Sequence, residues 1–558
     1  MKHGHSSIKL GALTVLLVAQ FGSSLSAVPL PPDAGQTLNE LQKQPERTLP
    51  KTVTPLLPEE DKSQKTTVSD DVRITVKAIR VSGSSKFTAS ELEALVADLI
   101  GGEHTLADLE AATGRITAYY RARGYVVARA YLPAQEIKDG VVSVDVMEGY
   151  IGKQSLNNSS RLSDQSANRY LRVVKSGDVL QAKPVNRALL LLNDTPGVGS
   201  ARATLQPGAS AGTTDLIVEL TPAALFSGNI ELDNYGNYYT GENRLGAELA
   251  FNSPLKAGDR ITLRALVSDQ NMTYAYAGYQ IPVGGSGLRL GAAYADTKYS
   301  FGQNLAASHG SASSASVFAM YPFIRSQDSN LSGTLSLENK QLNDVKATIP
   351  FDKQVWVNTV GMAGNFQDAL GGAGMTFFDL SLAAGRLSMD AISLLIDNLS
   401  AHANGDFARF DYNLDRLQRL NDSNSLSLAL SGQYANKNLN SSEQFSLGGA
   451  NSVRAYPQGE VYGDEGWLAT VELRHSFAQT LQGAIFYDAG SVNINHNPYL
   501  ASSNSRFLSG AGAGMNMTLL GMQLKAYLAF RAGGGRPVSE PASINSEYRL
   551  WLQLGKQF

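Results

Sequence analysis

Residues 448–460, GGANSVRAYPQGE, end in an acid, Glu460, and hold one arginine, Arg454, between apolar and aromatic neighbours in a stretch without helical period. A guanidinium in such a place could bind a carboxylate through two parallel N–H···O bonds. Buried without a partner it would be very costly. Asp488, in GAIFYDAGSV (483–492), is flanked by apolar and small residues and is the only carboxylate between Glu472 and Glu540, which makes it the candidate partner. From spacing alone Arg454 fits an exposed loop charge equally well, and the parity of Asp488 is undecided within so short a segment.

Little else in the chain is disposed for bond-making chemistry. Cysteine is absent, which removes disulfides, zinc–thiolate sites and cysteine nucleophiles. The histidines (His3, His5, His104, His309, His402, His475 and His496) show no HExxH or other close ligand spacing. No nucleophile elbow is assigned to the serines, and there is no phosphate loop of the GxxxxGKS/T type. His475 closes a strand-like segment and reads as a rim residue, while Glu231, Asp233 and Glu248 read as pore lining rather than an acid–base pair. The expectation is a non-enzyme with no catalytic residue, cofactor or metal. A net charge of −3 gives no sign of a nucleic-acid partner.

The N-terminus has the form of an export signal (1–27): Lys2 and Lys9 precede the apolar stretch LGALTVLLVAQF, and SSLSA ends at Ala27 with small residues. That stretch is shorter than the roughly 20 residues a spanning helix needs, and no other segment approaches this length. A chain of this kind that crosses a membrane must do so as a closed β-barrel. Residues 28–71 are rich in proline and charge and read as a linker. Within it DAGQTLNELQKQ (33–44) is a short helix candidate, with Asp33 as cap and Leu38 and Leu41 three apart. So short a helix is marginal alone and needs a surface to lie against.

Residues 72–150 read as a compact α/β module. RITVKAIRVSG (73–83) is expected to be a strand. Thr88 and Glu91 have capping-box spacing ahead of Leu92, Leu95, Val96 and Leu99. A second helix starts near Thr105, and GYVVARAYLP (124–133) and GVVSVDVMEG (140–149) are strands joined through an Asp139-Gly140 turn. Residues 151–223 read as a looser copy, with helices over 166–175 and 184–193 and paired strands within 201–222.

From residue 224 to the end the period changes to two. In NRLGAELAF, Leu245, Ala247, Leu249 and Phe251 alternate with Arg244, Gly246, Glu248 and Ala250; RITLRALVSD, GLRLGAAYAD and EYRLWLQLGKQF repeat the pattern. Alternation over about ten residues between turn-rich stretches is the signature of a transmembrane β-barrel. A soluble sandwich has the same period, but charges scattered along the polar parity of many strands suit a wet lumen. The region has room for about 16 strands, enough for an aqueous channel. Arg454 then lies between strand-like QFSLGG (444–449) and GWLATVELRH (466–475). That connection is long enough to be an external loop and to fold back into the lumen.

These residues also carry a resemblance. Val453-Arg454-Ala455-Tyr456 is similar to the VRGY-type motif in the lumen-inserted loop of outer-membrane transporters that join POTRA domains to a 16-stranded barrel. Phe486, Asp488 and Gly490 in FYDAG resemble the F-x-D-x-G motif of a neighbouring strand, and GAGAG (510–514) resembles the glycine-rich strand after it. The family's glycine is Ala455 here, which disfavours a positive φ at that position. Within the superfamily the chain resembles the two-partner secretion transporters of the ShlB/FhaC/HecB haemolysin secretion/activation type, including contact-dependent inhibition exporters. PPDAGQTLNELQ resembles their plug helix, RARGYVVARAYLPAQEIKDGVVSVDVMEG the end of their first POTRA domain, and LLLNDTPGVGSARATLQPGASAGTTDLIVEL their second.

The resemblance implies a multidomain chain: two POTRA domains and a plug helix ahead of a C-terminal 16-stranded antiparallel barrel over 224–558. It implies an Arg454–Asp488 lock and residence in the bacterial outer membrane, with the POTRA domains in the periplasm. The function implied is secretion of a large unfolded exoprotein, whether adhesin, haemolysin or contact-dependent inhibition toxin. The other implied partners are the outer-membrane bilayer and, during biogenesis, the barrel-assembly machinery; the chain is expected to act as a monomer. A POTRA-type insertase is the alternative, and a passive porin, which would have no use for two α/β modules, ranks below it.

Overall fold

The structure, a computed structural model, describes residues 31–42, 73–301, 308–346 and 348–558. The expected signal and most of the proline-rich linker lie outside the described residues. A nine-residue helix, α1 (Ala34–Gln42), precedes two α/β modules and a barrel.

The first module contains β1 (Arg73–Thr75), β2 (Ala78–Ser82), α2 (Ala89–Ala94), β3 (Glu103–Thr105), α3 (Leu106–Ala122), β4 (Arg129–Tyr131) and β5 (Val141–Met147). Thr105 and Asp108 close a reciprocal capping box on α3, and Thr88 accepts from the Glu91 N–H at the start of α2. Leu92, Ile116, Tyr120, Val142 and Val144 form its core. The single strand expected over 73–83 divides. At Val76 and Lys77 the backbone changes partners: β1 is antiparallel to β3, whereas β2 runs parallel to β5. The strand expected over 124–133 shrinks to β4, because Gly124 and Tyr125 donate to the last carbonyls of α3 and Gly124 takes a left-handed turn.

The second module runs β6 (Tyr150–Asn158), α4 (Asp164–Leu171), α5 (Ala182–Asn193), β7 (Val198–Pro207) and β8 (Thr213–Pro222), with sheet order β6-β8-β7. The helices begin and end a few residues from the expected ranges. Edge strand β6 was not anticipated, since YIGKQSLNN lacks an apolar alternation. Leu189 to Leu192 are all buried, so α5 is held between the sheet and the barrel.

Sixteen antiparallel strands close into a barrel: β9 (Phe226–Asp233) through β19 (Asn424–Ala435), then β22 (Glu465–Ala478) through β26 (Tyr548–Gln557). Parity separates the two faces. Ile485 is 60% exposed on the outer surface, while the adjacent Phe486 is 5% exposed toward the lumen. Leu263, Val471 and Leu552 share the outer face. Charges on the other parity pair across strands, as in Arg244–Asp233 and Arg264–Glu248. The seam that closes the barrel is short, joining Gln553–Gln557 to Asn229–Asp233.

The second module sits against the short turns at one barrel mouth. Asp194, the C-cap of α5, takes a two-pronged contact from Arg325 (Nε–Oδ2 2.6 Å, Nη2–Oδ1 2.9 Å) at the end of β14 (His309–Arg325). Arg289 donates to the Asp194 carbonyl at 2.7 Å, and Arg187 of α5 to that of Pro322 at 2.6 Å. Long connections, including 390–404, 436–464 and 534–547, lie at the opposite mouth.

Candidate functional site

The segment read as strand QFSLGG does not belong to the wall. After β19 the chain leaves the barrel at residue 436 and re-enters only at β22. Phe445–Leu447 (β20) pairs with Val461–Gly463 (β21), so the loop carries its own small hairpin. Beyond that hairpin, residues 448–460 lie against the inner wall. Leu447, Val453, Ala455 and Tyr456 pack with Phe486, Val492, Leu508 and Ala529.

Arg454 is 6% exposed and Asp488 fully buried. The Arg454 Nε donates to Asp488 Oδ2 at 2.9 Å and Nη2 to Oδ1 at 2.8 Å, while the Arg454 backbone N–H donates to Oδ2 at 3.1 Å. This is the bidentate fork that best matches a carboxylate. The remaining Nη1 donates to Glu472 Oε2 at 2.7 Å. Glu472 in turn accepts from Arg474 Nε at 2.7 Å, so two cations balance two carboxylates. The guanidinium carbon lies over the Phe486 ring, 3.3 Å from its centroid, as cation–π attraction favours. Thr470 donates to Asp488 Oδ1, and the Trp551 indole to the Arg454 carbonyl at 2.7 Å.

Asp488 lies on the lumen parity of β23 (Leu481–Asn493) with Phe486 and Gly490, which resolves its undecided orientation. Ala455 has no positive φ, so alanine is unstrained there. A Cβ on Gly510 would stand 2.3 Å from the Ala455 methyl; the glycine of the opposing wall strand provides the room. Gly490 likewise leaves space for Leu447 of the loop. The Tyr456 hydroxyl donates to the Gly533 carbonyl at 2.7 Å. Sequence reasoning did not find Glu472, Arg474 or Trp551 as neighbours of Arg454. The available signal was that Thr470, Glu472 and Arg474 share the polar parity of a strand whose other parity is Trp467, Val471 and Leu473.

Helix α1 lies inside the same lumen. Asp33 accepts from the Gln36 N–H at 2.9 Å and Gln36 Oε1 accepts from the Asp33 N–H at 3.0 Å, a reciprocal cap. Ala34 and Leu38 are fully buried among Tyr299, Leu342 and Val355 of the wall, and Leu41 packs at the edge of that cluster. The Ala34 N–H donates to Asp344 Oδ1 at 3.0 Å. A helix of this length gains its stability from such packing rather than from its own turns.

Gly208-Ala209-Ser210-Ala211-Gly212 carries the G-x-S-x-G spacing of a nucleophile elbow, to which no serine was assigned from the sequence. It forms the hairpin between β7 and β8, where the Ser210 carbonyl accepts from Thr213, not the strand-to-helix turn that a nucleophile elbow requires. His475 is exposed, with Nδ1 2.8 Å from Asn424 Oδ1 at the module-side rim.

The family described as Haemolysin secretion/activation protein ShlB/FhaC/HecB matches residues 212–517, and the POTRA domain, ShlB-type, matches 74–149. The chain is 29% identical over 494 residues to the Heme/hemopexin transporter protein HuxB of Haemophilus influenzae, covering 85% of both chains. It is 23% identical over 518 residues to the Outer membrane transporter CdiB of Dickeya dadantii, covering 86% of each. Its fold is similar to that of CdiB from Escherichia coli, with a TM-score of 0.70, 19% identity and full coverage of both chains.

Proposed function

The chain belongs to the ShlB/FhaC/HecB haemolysin secretion/activation family of two-partner secretion transporters in the outer membrane, and from that premise we propose that it exports one large unfolded exoprotein through its barrel. The two modules, over 72–150 and 151–223, capture the passenger in the periplasm. Their sheet edges, β4 in the first and β7 in the second, suit the addition of an extended strand. Helix α1 is a plug that withdraws, and the passenger then threads outward past the loop that Arg454 and Asp488 hold to the wall. The passenger is an adhesin, a haemolysin or a contact-dependent inhibition toxin. Its folding outside supplies the driving force, and the paired charges of the lumen offer an unfolded chain few apolar places to stick. The transporter acts as a monomer after insertion by the barrel-assembly machinery.

The single observation that carries this reading is a wide closed barrel whose lumen is filled by α1 and the 436–464 loop while two α/β modules stand at one mouth. A passive porin has no need of either filling or modules, and a POTRA-type insertase has no need of a plug. The test is to delete the gene for this chain from a strain that also encodes a signal-bearing, repeat-rich exoprotein. Surface and medium levels of that exoprotein are expected to collapse and to return on complementation. Unchanged export in the deletion strain would refute the assignment.

A further inference from the structure

Two segments fill the lumen, and the contacts between them are as specific as those to the wall. The loop enters through a single tight turn, Ser441–Glu443, capped by Asn440 Oδ1 on the Ser442 N–H. Glu443 is fully buried. It accepts from Lys340 Nζ of β15 (Ser329–Lys346) at 2.8 Å, and its second oxygen lies 3.3 Å from Arg409 Nε of β18 (Gly405–Arg419). Gln433 of β19 donates to both the Glu443 and Asp464 carbonyls at 2.9 Å, joining the two roots of the loop. Asp464 then accepts from the Leu439 N–H and from Gln444. This base of the loop is anchored on wall strands other than those that hold Arg454.

Helix α1 rests on that turn. The Ser441 hydroxyl lies 2.7 Å from both carboxylate oxygens of Asp33, and Asn39 donates to the Gln444 carbonyl at 2.9 Å. On the returning side of the loop the Tyr462 hydroxyl donates to Glu40. Gly35 faces the turn so closely that a Cβ there would stand 2.5 Å from Ser441 Oγ and 2.7 Å from the Ser442 backbone nitrogen. Gln42 donates to Glu338, whose other oxygen is 3.6 Å from Lys340, so the end of the helix meets the same charge cluster that fixes the turn.

We infer that the base of the inward loop is the seat of α1, and that Glu443 is the positioning residue that holds this seat through the Ser441–Gln444 turn. This rests on the reading of α1 as a plug. Loop and plug are then one gate with two fastenings. The Arg454 cluster secures the tip of the loop whether or not the helix is present, whereas the Glu443–Lys340–Arg409 cluster matters for closure only through the helix. Loss of the Glu443 charge loosens the turn and unseats α1. A side chain at position 35 does the same from the helix side without altering the wall.

The experiment is single-channel conductance of the purified full chain in planar bilayers. Wild type is compared with a deletion of residues 28–44, with Gly35→Val, with Glu443→Gln, and with Glu443→Gln in the deletion background. Heat-modifiable migration checks that each barrel is folded. The deletion is expected to give large steady currents. Glu443→Gln is expected to raise open time on the order of tenfold, the loss of one charged hydrogen bond, and Gly35→Val to raise it as well, through overlap of its side chain with the Ser441–Ser442 turn. Glu443→Gln should add nothing once 28–44 is gone. If the deletion opens the pore but both single substitutions remain as quiet as wild type, the seat is refuted and the plug stands. Equal currents from the deletion and wild type would remove the plug and the seat together. Further opening by Glu443→Gln in the deletion background would make Glu443 a determinant of the loop alone and overturn the inference. Should Glu443→Gln fail to yield a folded barrel, Gly35→Val decides, because its change lies in α1 and not in the wall.

Discussion

Arg454 uses nearly all the recognition a guanidinium can offer: a fork on Asp488, a third donor on Glu472 and a flat face on Phe486. Lysine would keep the charge and lose both the fork and the stacking. Alanine would leave Asp488 with Thr470 as its remaining side-chain donor among the described residues. Removing one member of a buried pair costs ~3–5 kcal/mol, which falls on the placement of the loop because the wall's own ladder of hydrogen bonds is untouched. Arg454→Ala is therefore expected to migrate as a folded, heat-modifiable barrel while export falls at least about tenfold, with Arg454→Lys intermediate. Loss of the folded band in the alanine form would show that the cluster holds the wall rather than the loop. The sequence pointed to the Arg454–Asp488 pairing through the isolation of Asp488 among apolar and small residues and through two motifs 34 positions apart; Glu472 and Trp551 were illegible as partners because strand register brings them in.

At the scale of elements, α3 is fastened to the turn before α2 by one carboxylate. Glu148 is buried and accepts from the Ser85 and Lys86 N–H groups at 2.8 and 2.9 Å, from the Ser85 hydroxyl and from the Tyr120 hydroxyl of α3. Burial pushes its carboxyl up, but these donors together outweigh burial and hold it below the ordinary glutamate range. A group whose pKa is lowered by folding stabilises the fold above its unfolded value, about 4.3, and that stability is lost as pH falls through the folded value. The first module is thus expected to lose protease resistance below roughly pH 4. Glu148→Gln should lower its resistance at neutral pH, by ~1–3 kcal/mol for mismatched donors, and flatten this acid step. Limited proteolysis of the full chain against pH reads both. An acid step of the same size in Glu148→Gln would assign the transition to other carboxylates.

Across the whole molecule, Asp194 is the charged centre of the contact between the second module and the barrel turns, beside backbone contacts such as the Ser163 N–H on the Lys256 carbonyl. Asp194 ties α5 to Arg325 and, through its carbonyl, to Arg289. The Arg325 side chain is 7% exposed and that of Asp194 25%, so the fully buried figure of ~3–5 kcal/mol is an upper bound. Asp194→Ala is expected to raise hydrogen exchange in α5 and in the 284–287 and 326–328 turns. Export should fall without loss of the folded barrel. Unchanged exchange there would mean that Arg187 and the backbone contacts suffice to dock the module.

The sequence by itself determined the periodic and local features. Alternation over some 330 residues specified strands and their two faces, because a period of two needs no knowledge of neighbours, and charges scattered on the polar parity turned that reading toward a barrel. The Thr88 cap and the Asp33 cap were legible for the same reason, since each is made within one turn; the reciprocal box falls instead at Thr105 and Asp108, where only a helix start was expected. What it could not determine was where a uniform pattern is interrupted by a change of partner. The break at Val76 and the removal of Phe445–Leu447 from the wall both depend on which backbone lies alongside. Only the tertiary structure decided that β22, β23 and β26 bring Glu472, Asp488 and Trp551 to one arginine. It alone decided that the loop bearing that arginine is also what α1 lies against. Closure of the barrel makes residues distant in sequence face one another across a lumen, and side-chain chemistry acts over that distance, not along the chain.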